Sequence, residues 1–307
     1  MFRHPNNPFL WRGLSWCPPA GCWVVALALL ALLAAPAAAD PGAEAPQTRK
    51  VVDAYRSGSA SITLERFEPA ADGKYPAILL LHAVDGLEKP YGDQYRAAAR
   101  RFAEKGYVVL LVHYFDRTGA GAKQVQAVSA LFLKYAKGDD ITKQERQTIC
   151  EDFSAWTETV REAVAYTRRL PNVDDKHVGL VGFSMGAYLS LAVAAQADLH
   201  LAAVVELFGA LPDGLEEKVS QLPPTLIIHG DNDPVVNVQK ARDLHKVLAA
   251  RKVPDEMQIY EGVGHVFLND EGAVTFKAML AVVDAERRTS AFLEKYLKDE
   301  VSAKREE

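Results

Sequence analysis

The chain is poor in cysteine, with three in 307 residues. Two of them, Cys17 and Cys22, lie in or beside an apolar N-terminal stretch. A mature chain without that stretch keeps Cys150 alone and can close no internal disulfide, so its stability must come from a core even in an oxidising compartment. A basic patch is also lacking. The formal net charge is -5, and the only dense charge run, KDEVSAKREE at 298–307, mixes both signs and reads as a frayed helix end. A nucleic-acid partner is therefore not expected. Beyond the N-terminal stretch no long uncharged apolar run occurs, which argues against a polytopic membrane protein. No repeat, low-complexity tract or Pro/Gly/Ser linker divides the chain. What remains is 49% hydrophobic and 24% charged, the composition of a globular protein long enough for one large core.

The N-terminus carries Arg3 and Arg12, then WVVALALLALL at 23–33, then AAPAAAD. A basic start, a short apolar centre and a small-residue exit are the order of a secretory signal, with cleavage expected after Ala39. An uncleaved anchor is the alternative, although Pro18, Pro19 and Pro36 interrupt it. Residues 1–39 are accordingly read as a signal peptide and 40–307 as one domain, periplasmic or secreted and without stable membrane association after cleavage. Losing two arginines and no acid takes the net charge from -5 to -7.

From about Ser59, short β-rich runs alternate with longer amphipathic ones. Strands are expected at 61–67, 77–82, 108–113, 177–182, 202–207, 225–229 and 257–260. Helices are expected at 94–105, 144–170, 185–196, 237–251 and 274–297. Several strand runs, among them AILLL, VVLLV and TLIIH, are continuously apolar rather than alternating. Strands covered on both faces have that pattern, so the expected class is α/β, a mostly parallel central sheet with helices on both faces. More residues separate the strands at 113 and 177 than one crossover helix needs. The excess, about 117–142, is either a lid over a site or an exposed helical hairpin. Cys150, in a helical pattern, is expected to pack rather than react.

The most informative residues are Gly182, Phe183, Ser184, Met185 and Gly186, directly after the strand HVGLVG and before the helix MGAYLSLAVAAQ. A sharp strand-to-helix turn needs glycines where neighbouring backbone leaves no room for Cβ atoms. It lifts the Ser184 hydroxyl above the sheet beside unpaired N–H groups of the first helical turn, of which Met185 N–H is the expected oxyanion donor. A serine hydroxyl needs a base, and the base an orienting acid. In this layout both follow on later loops: HGDNDPVV offers Asp231 and Asp233, and VGHVFLND offers His265. Asp233 is preferred because it lies deeper in its loop, whereas Asp231 sits where a turn residue is expected. His82, His113 and His229 stand at strand ends before the positions a base should take. His177, His200 and His245 suit structural roles.

The second oxyanion donor should come from LHAVDGLEKP, with Val84 N–H the candidate and Gly86 letting the chain turn. His82 and Asp85 either line the mouth of the site or fix this loop. Glu206, an acid in the apolar strand AVVELFG, either meets a polar partner or faces the pocket. Asp85 and Glu206 are the candidate substrate-binding residues, and Glu206 is also a rival for the acid position.

With LLLHAVDG, VGLVGFSMGA, HGDNDPVV and YEGVGHVF in that order, the chain from about 59 to 297 resembles the dienelactone hydrolase family of the α/β-hydrolase superfamily. The resemblance implies a sheet of eight strands or slightly fewer, a nucleophile at Ser184, an acid at Asp233, a base at His265, and neither metal nor organic cofactor. The dienelactone hydrolases proper use cysteine where this chain has Ser184 and a glutamate where it has Ala83. A serine has no thiolate to control, so the two changes are chemically consistent. They point to hydrolysis of some other small-molecule ester through an acyl-enzyme. A peptidase, an acyltransferase or an inactive binding protein of the same fold are the alternatives.

Overall fold

Hydrophobic runs of five to seven residues recur between amphipathic segments, and each becomes a strand buried on both sides. The computed structural model describes residues 47–89, 91–119, 122–267 and 274–298. The signal expected at 1–39 lies outside the described residues. Eight strands form one sheet: β1 (Thr48–Ser57), β2 (Ala60–Pro69), β3 (Tyr75–Leu81), β4 (Val108–Val112), β5 (Val173–Phe183), β6 (Ala203–Leu207), β7 (Thr225–Gly230) and β8 (Asp255–Tyr260). Their spatial order is β1-β2-β4-β3-β5-β6-β7-β8. β1 and β2 run antiparallel to their neighbours, and β3 through β8 are parallel. This is the α/β-hydrolase arrangement.

Among the described residues six α-helices flank the sheet: α1 (Gly92–Glu104), α2 (Ala122–Lys137), α3 (Lys143–Arg168), α4 (Met185–Ala194), α5 (Gln239–Ala250) and α6 (Phe276–Leu297). Successive strand residues feed opposite faces. Leu79, Leu81, Leu110 and Leu180 join a core with α3, α4 and α5, while Ile78, Leu80, Val109 and Val181 join another with α1 and α6. Leu79, Leu80 and Leu81 have no exposed surface, and burying each is worth about 1.5–3 kcal/mol. All ten residues of α4 are buried, so it lies between sheet and neighbouring helices with no polar face. α3 starts at a capping box, Thr142 accepting from Glu145 N–H and Glu145 returning to Thr142 N–H, which ties down two of the amides a helix start leaves unpaired.

Three expectations need correction. β1 was not expected, because TRKVVDAYRS is an edge strand whose buried residues are few; half-exposed edges carry weak apolar patterning. β5 begins at Val173, four residues before the apolar run, since Tyr75 pairs with Val173 ahead of a register shift. Cys150 does not pack but is exposed. The buried face of α3 begins only at Trp156, so the helix's first turns stand clear of the core. The 117–142 segment contains α2, whose Phe132 meets Tyr188 of α4 edge to face at 5.2 Å.

The parallel strands reverse their order of addition at β3 and β5. In open α/β sheets the crevice at such a reversal, beyond the carboxyl ends of the strands, is where ligands bind. Val84 follows β3 and Ser184 follows β5, so both flank it.

Candidate active site

At the end of β5 the chain turns into α4 within one residue. Ser184 takes φ 50° and ψ -115°, a strained conformation for a residue with a Cβ. Its surroundings hold it there. Ser184 N–H donates to Leu207 O at 2.9 Å, and its carbonyl accepts from Ala187 and Tyr188 N–H. The turn is possible because its flanks are glycine: a Cβ on Gly182 would stand 2.2 Å from Gly186 O, and one on Gly186 would stand 2.3 Å from Leu81 O.

Ser184 Oγ lies 3.0 Å from His265 Nε2, and His265 Nδ1 lies 2.7 Å from Asp233 Oδ2. Three stretches separated by 81 and 32 residues thus converge. Asp233 Oδ1 accepts Val235 and Val236 N–H, both at 2.8 Å. Burial opposes ionisation of Asp233, but the charge and hydrogen bonds of His265 and His229 outweigh it and hold the carboxyl well below its usual range. An ionised carboxylate only accepts, so Nδ1 of His265 carries the ring proton and Nε2 presents a lone pair to the serine hydroxyl. That is the tautomer able to take a proton from Ser184. The ring is also held mechanically, edge-on to Phe208 at 5.3 Å, with Phe267 edge-on to Phe208 at 5.5 Å. Val266, between His265 and Phe267, has φ 49°, which is rare for a β-branched residue. Asp231, the rejected alternative, accepts Gly262 N–H at 2.6 Å and ties two loops together.

The loop after β3 is held at almost every polar group. Tyr114 OH donates to His82 O at 2.7 Å. Ala83 N–H donates to Tyr95 OH at 3.0 Å, and Tyr95 OH donates to Asp85 Oδ1 at 3.2 Å. Ala83 O accepts from His82 Nδ1 and Gly86 N–H. Ser129 Oγ of α2 donates to Val84 O at 2.6 Å. Among the described residues no hydrogen bond engages Val84 N–H or Met185 N–H, the two expected donors. No group of three or more His, Cys, Asp and Glu among the described residues is arranged to hold a metal ion.

Over residues 65–297 the sequence matches the model of the dienelactone hydrolase family. The chain belongs to the dienelactone hydrolase family. Among curated relatives, a protein named usf from Aquifex pyrophilus is 25% identical over 224 residues, covering 72% of this chain and 89% of the relative. Acyl-protein thioesterase 1 of Candida albicans is 27% identical over 169 residues, 52% of this chain and 71% of that one. The crystal structure of a dienelactone hydrolase-like promiscuous phosphotriesterase from metagenomic libraries shares the fold with a TM-score of 0.64 at 18% identity, covering 82% of this chain and 99% of its own.

As a member of a hydrolase family, this dienelactone hydrolase relative places its sequence-predicted residues unevenly. Ser184, His265 and Asp233 come together. Glu206 does not join them by hydrogen bond: its Oε2 accepts Gly209 N–H at 2.8 Å, while Oε1 is buried with no hydrogen-bond partner among the described residues. Burial pushes its carboxyl up to about 7. Asp85 has Tyr95 as its described side-chain partner, and burial pushes it up to about 7 as well. His82 is stacked on Tyr114 at 4.0 Å, and burial pushes it down to about 3, so it stays neutral and braces the loop. Tyr95, Tyr114 and Ser129 escaped the sequence reading, since nothing local marks a hydroxyl that reaches 12, 32 or 45 residues away. His229 was set aside as too early in its loop, yet its Nε2 lies 3.3 Å from Asp233 Oδ2.

Proposed function

We propose that this protein is a serine hydrolase that cleaves a carboxylic ester of a small molecule through an acyl-enzyme. The observation that carries the reading is the continuous contact from Ser184 Oγ through His265 to Asp233, at 3.0 and 2.7 Å. Ser184 Oγ attacks the ester carbonyl while its proton passes to His265 Nε2. The carbonyl oxygen becomes an oxyanion that Val84 and Met185 N–H receive, and Asp233 balances the imidazolium. On collapse, the carbon–oxygen bond to the leaving alcohol breaks and His265 returns the proton to that oxygen. Water then attacks the acyl-serine by the same route and releases the acid. The N-terminal leader pattern supports a site of action outside the cytoplasm.

A fluorophosphonate probe followed by mass mapping tests the nucleophile. One adduct on Ser184, absent in Ser184→Ala, is expected, and a chain that takes no label is a binding protein instead. Ser184→Ala should also lower turnover of an activated ester by about 10³ to 10⁶. A panel of esters graded by acyl length, run with and without added alcohol or amine acceptors, then separates hydrolysis from acyl transfer.

A further inference from the structure

Behind the Ser184–His265–Asp233 chain lies a second line of buried polar groups that the proposed reaction does not use. His229 stands at the end of β7, four residues before Asp233, with no exposed surface. Its Nε2 is 2.8 Å from Val236 O, which can only accept, so Nε2 carries a proton. The same N–H faces Asp233 Oδ2 at 3.3 Å, and Oδ2 is the oxygen His265 uses at 2.7 Å. One carboxylate oxygen therefore serves two imidazoles. His229 Nδ1 and Glu206 Oε1 are both buried without a hydrogen-bond partner among the described residues.

We propose that His229 is a positioning residue of the active site, a second imidazole that shares Asp233 Oδ2 with His265 and sets how much of the carboxylate's charge reaches the ring serving Ser184. The proposal rests on the serine-hydrolase reading. Asp233 has two places to lose its orientation, and both are held: Oδ1 by the Val235 and Val236 amides, Oδ2 by the two rings. Without His229, Oδ2 loses one of its two donors, its position is held by His265 alone, and more of the carboxylate's charge falls on the His265 Nδ1–H. Hydrogen bonds to an ionised group in a dry site are the strong kind.

The groups that face His229 come from several elements. Glu206 approaches from β6, Asp233 and the Val236 carbonyl from the turn after β7, His265 through Asp233 from the turn after β8, and the Tyr188 phenol of α4 lies within electrostatic range of Glu206 and Asp233. Burial opposes protonation of His229, but the Asp233 hydrogen bond and the charges of Glu206 and Asp233 outweigh it and hold its pKa above the ordinary value. A proton gained by the Glu206–His229 pair raises the net charge beside Asp233 by one unit, and Asp233 passes that change on to His265.

The test uses the whole protein and two substitutions. His229→Leu removes the N–H; His229→Gln keeps an N–H near the same position and cannot titrate. For His229→Leu, kcat on an activated ester should fall about 10- to 100-fold with KM little changed, Ser184 should take a fluorophosphonate correspondingly slowly, and the acid limb of kcat/KM should move to higher pH. His229→Gln should recover most of kcat. A folded His229→Leu with wild-type kcat, labelling rate and acid limb overturns the proposal, as does a His229→Gln no faster than His229→Leu. Should His229→Leu not fold, the far-downfield proton resonance of His265 Nδ1–H decides. In the wild type it should show a titration step that is moved or reduced in His229→Gln, and identical profiles overturn the proposal. Absence of any label on wild-type Ser184 defeats the hydrolase reading as well; normal labelling in both His229 variants defeats this inference alone.

Discussion

Two glutamates buried in the same sheet behave in opposite ways. Glu65 on β2 is surrounded by donors: Arg96 donates to both of its oxygens at 2.6 and 2.8 Å, Lys50 Nζ lies at 2.6 Å and His113 Nε2 at 3.0 Å. Burial opposes its ionisation, yet those donors outweigh burial and hold its pKa well below the ordinary value. Glu206 on β6, with no exposed surface, has one backbone amide and a neighbouring imidazole. Its pKa rises to about 7. The difference teaches that depth alone does not decide the state of a buried acid; the number of donors does. It also separates two uses. Glu65 ties β2 to Lys50 of β1, Arg96 of α1 and His113 just after β4, whereas Glu206 is left underpaired beside the groups that orient the proposed base.

Four experiments would break or sharpen this contrast. The largest effect is expected on turnover. Asp233→Asn should lower kcat by roughly 10⁴ by leaving His265 with the wrong orienting partner, while Glu65→Gln should leave kcat within about threefold. Comparable losses in steady-state assays of the two variants would erase the distinction between an acid that orients imidazoles and one that holds cations.

A second test concerns stability above neutral pH. An acid whose folded pKa is raised from 4.5 to about 7 contributes stability that is complete below 4.5 and lost as pH rises through 7. Glu206→Gln should therefore stabilise the protein by about 3 kcal/mol at pH 8 and by little at pH 4. Denaturant unfolding at the two pH values measures it, and equal midpoint shifts would refute the raised pKa.

The sign reverses for Glu65. Its folded pKa is depressed, so its contribution is present above the ordinary value of 4.5 and is lost as pH falls through the lower folded value. Glu65→Gln should cost about 1–3 kcal/mol at pH 7, discounted because Lys50 and Arg96 are partly in water, and the loss should shrink in acid. A pH-independent loss would mean that packing rather than charge is at stake.

The smallest effect tests the neutral hydrogen bonds that hold the loop of Val84. Ser129→Ala removes the donor to Val84 O and should lower kcat about two- to tenfold, with no change in the pH profile. An unchanged kcat would detach α2 from the proposed oxyanion donor.

Much of this was readable from local sequence. Continuous apolar runs are what a two-sided strand requires, and they located β3, β4, β5 and β7 to within a few residues. Gly182 and Gly186 mark a turn that admits no Cβ, and that alone marks Ser184 between them. The order of Ser184, Asp233 and His265 followed from loops after successive strands. β1 was not legible, because an edge strand with polar residues on most positions has no distinctive period. Nor was the exposure of Cys150, since a helical pattern does not tell how far a helix projects beyond its support.

The residues by themselves determined the buried strands of the sheet, the bend that carries Ser184 and the types of side chain available to it, because backbone sterics and burial periodicity act over a few neighbours in the chain. Only the tertiary structure decided that Asp233 meets His265, which hydroxyls hold the loop of Val84, and that Glu65 is ringed by donors while Glu206 is not. Those outcomes depend on hydrogen bonds and charges brought together across as many as 48 residues. Such forces act through space, and no stretch of sequence records who the neighbour will be.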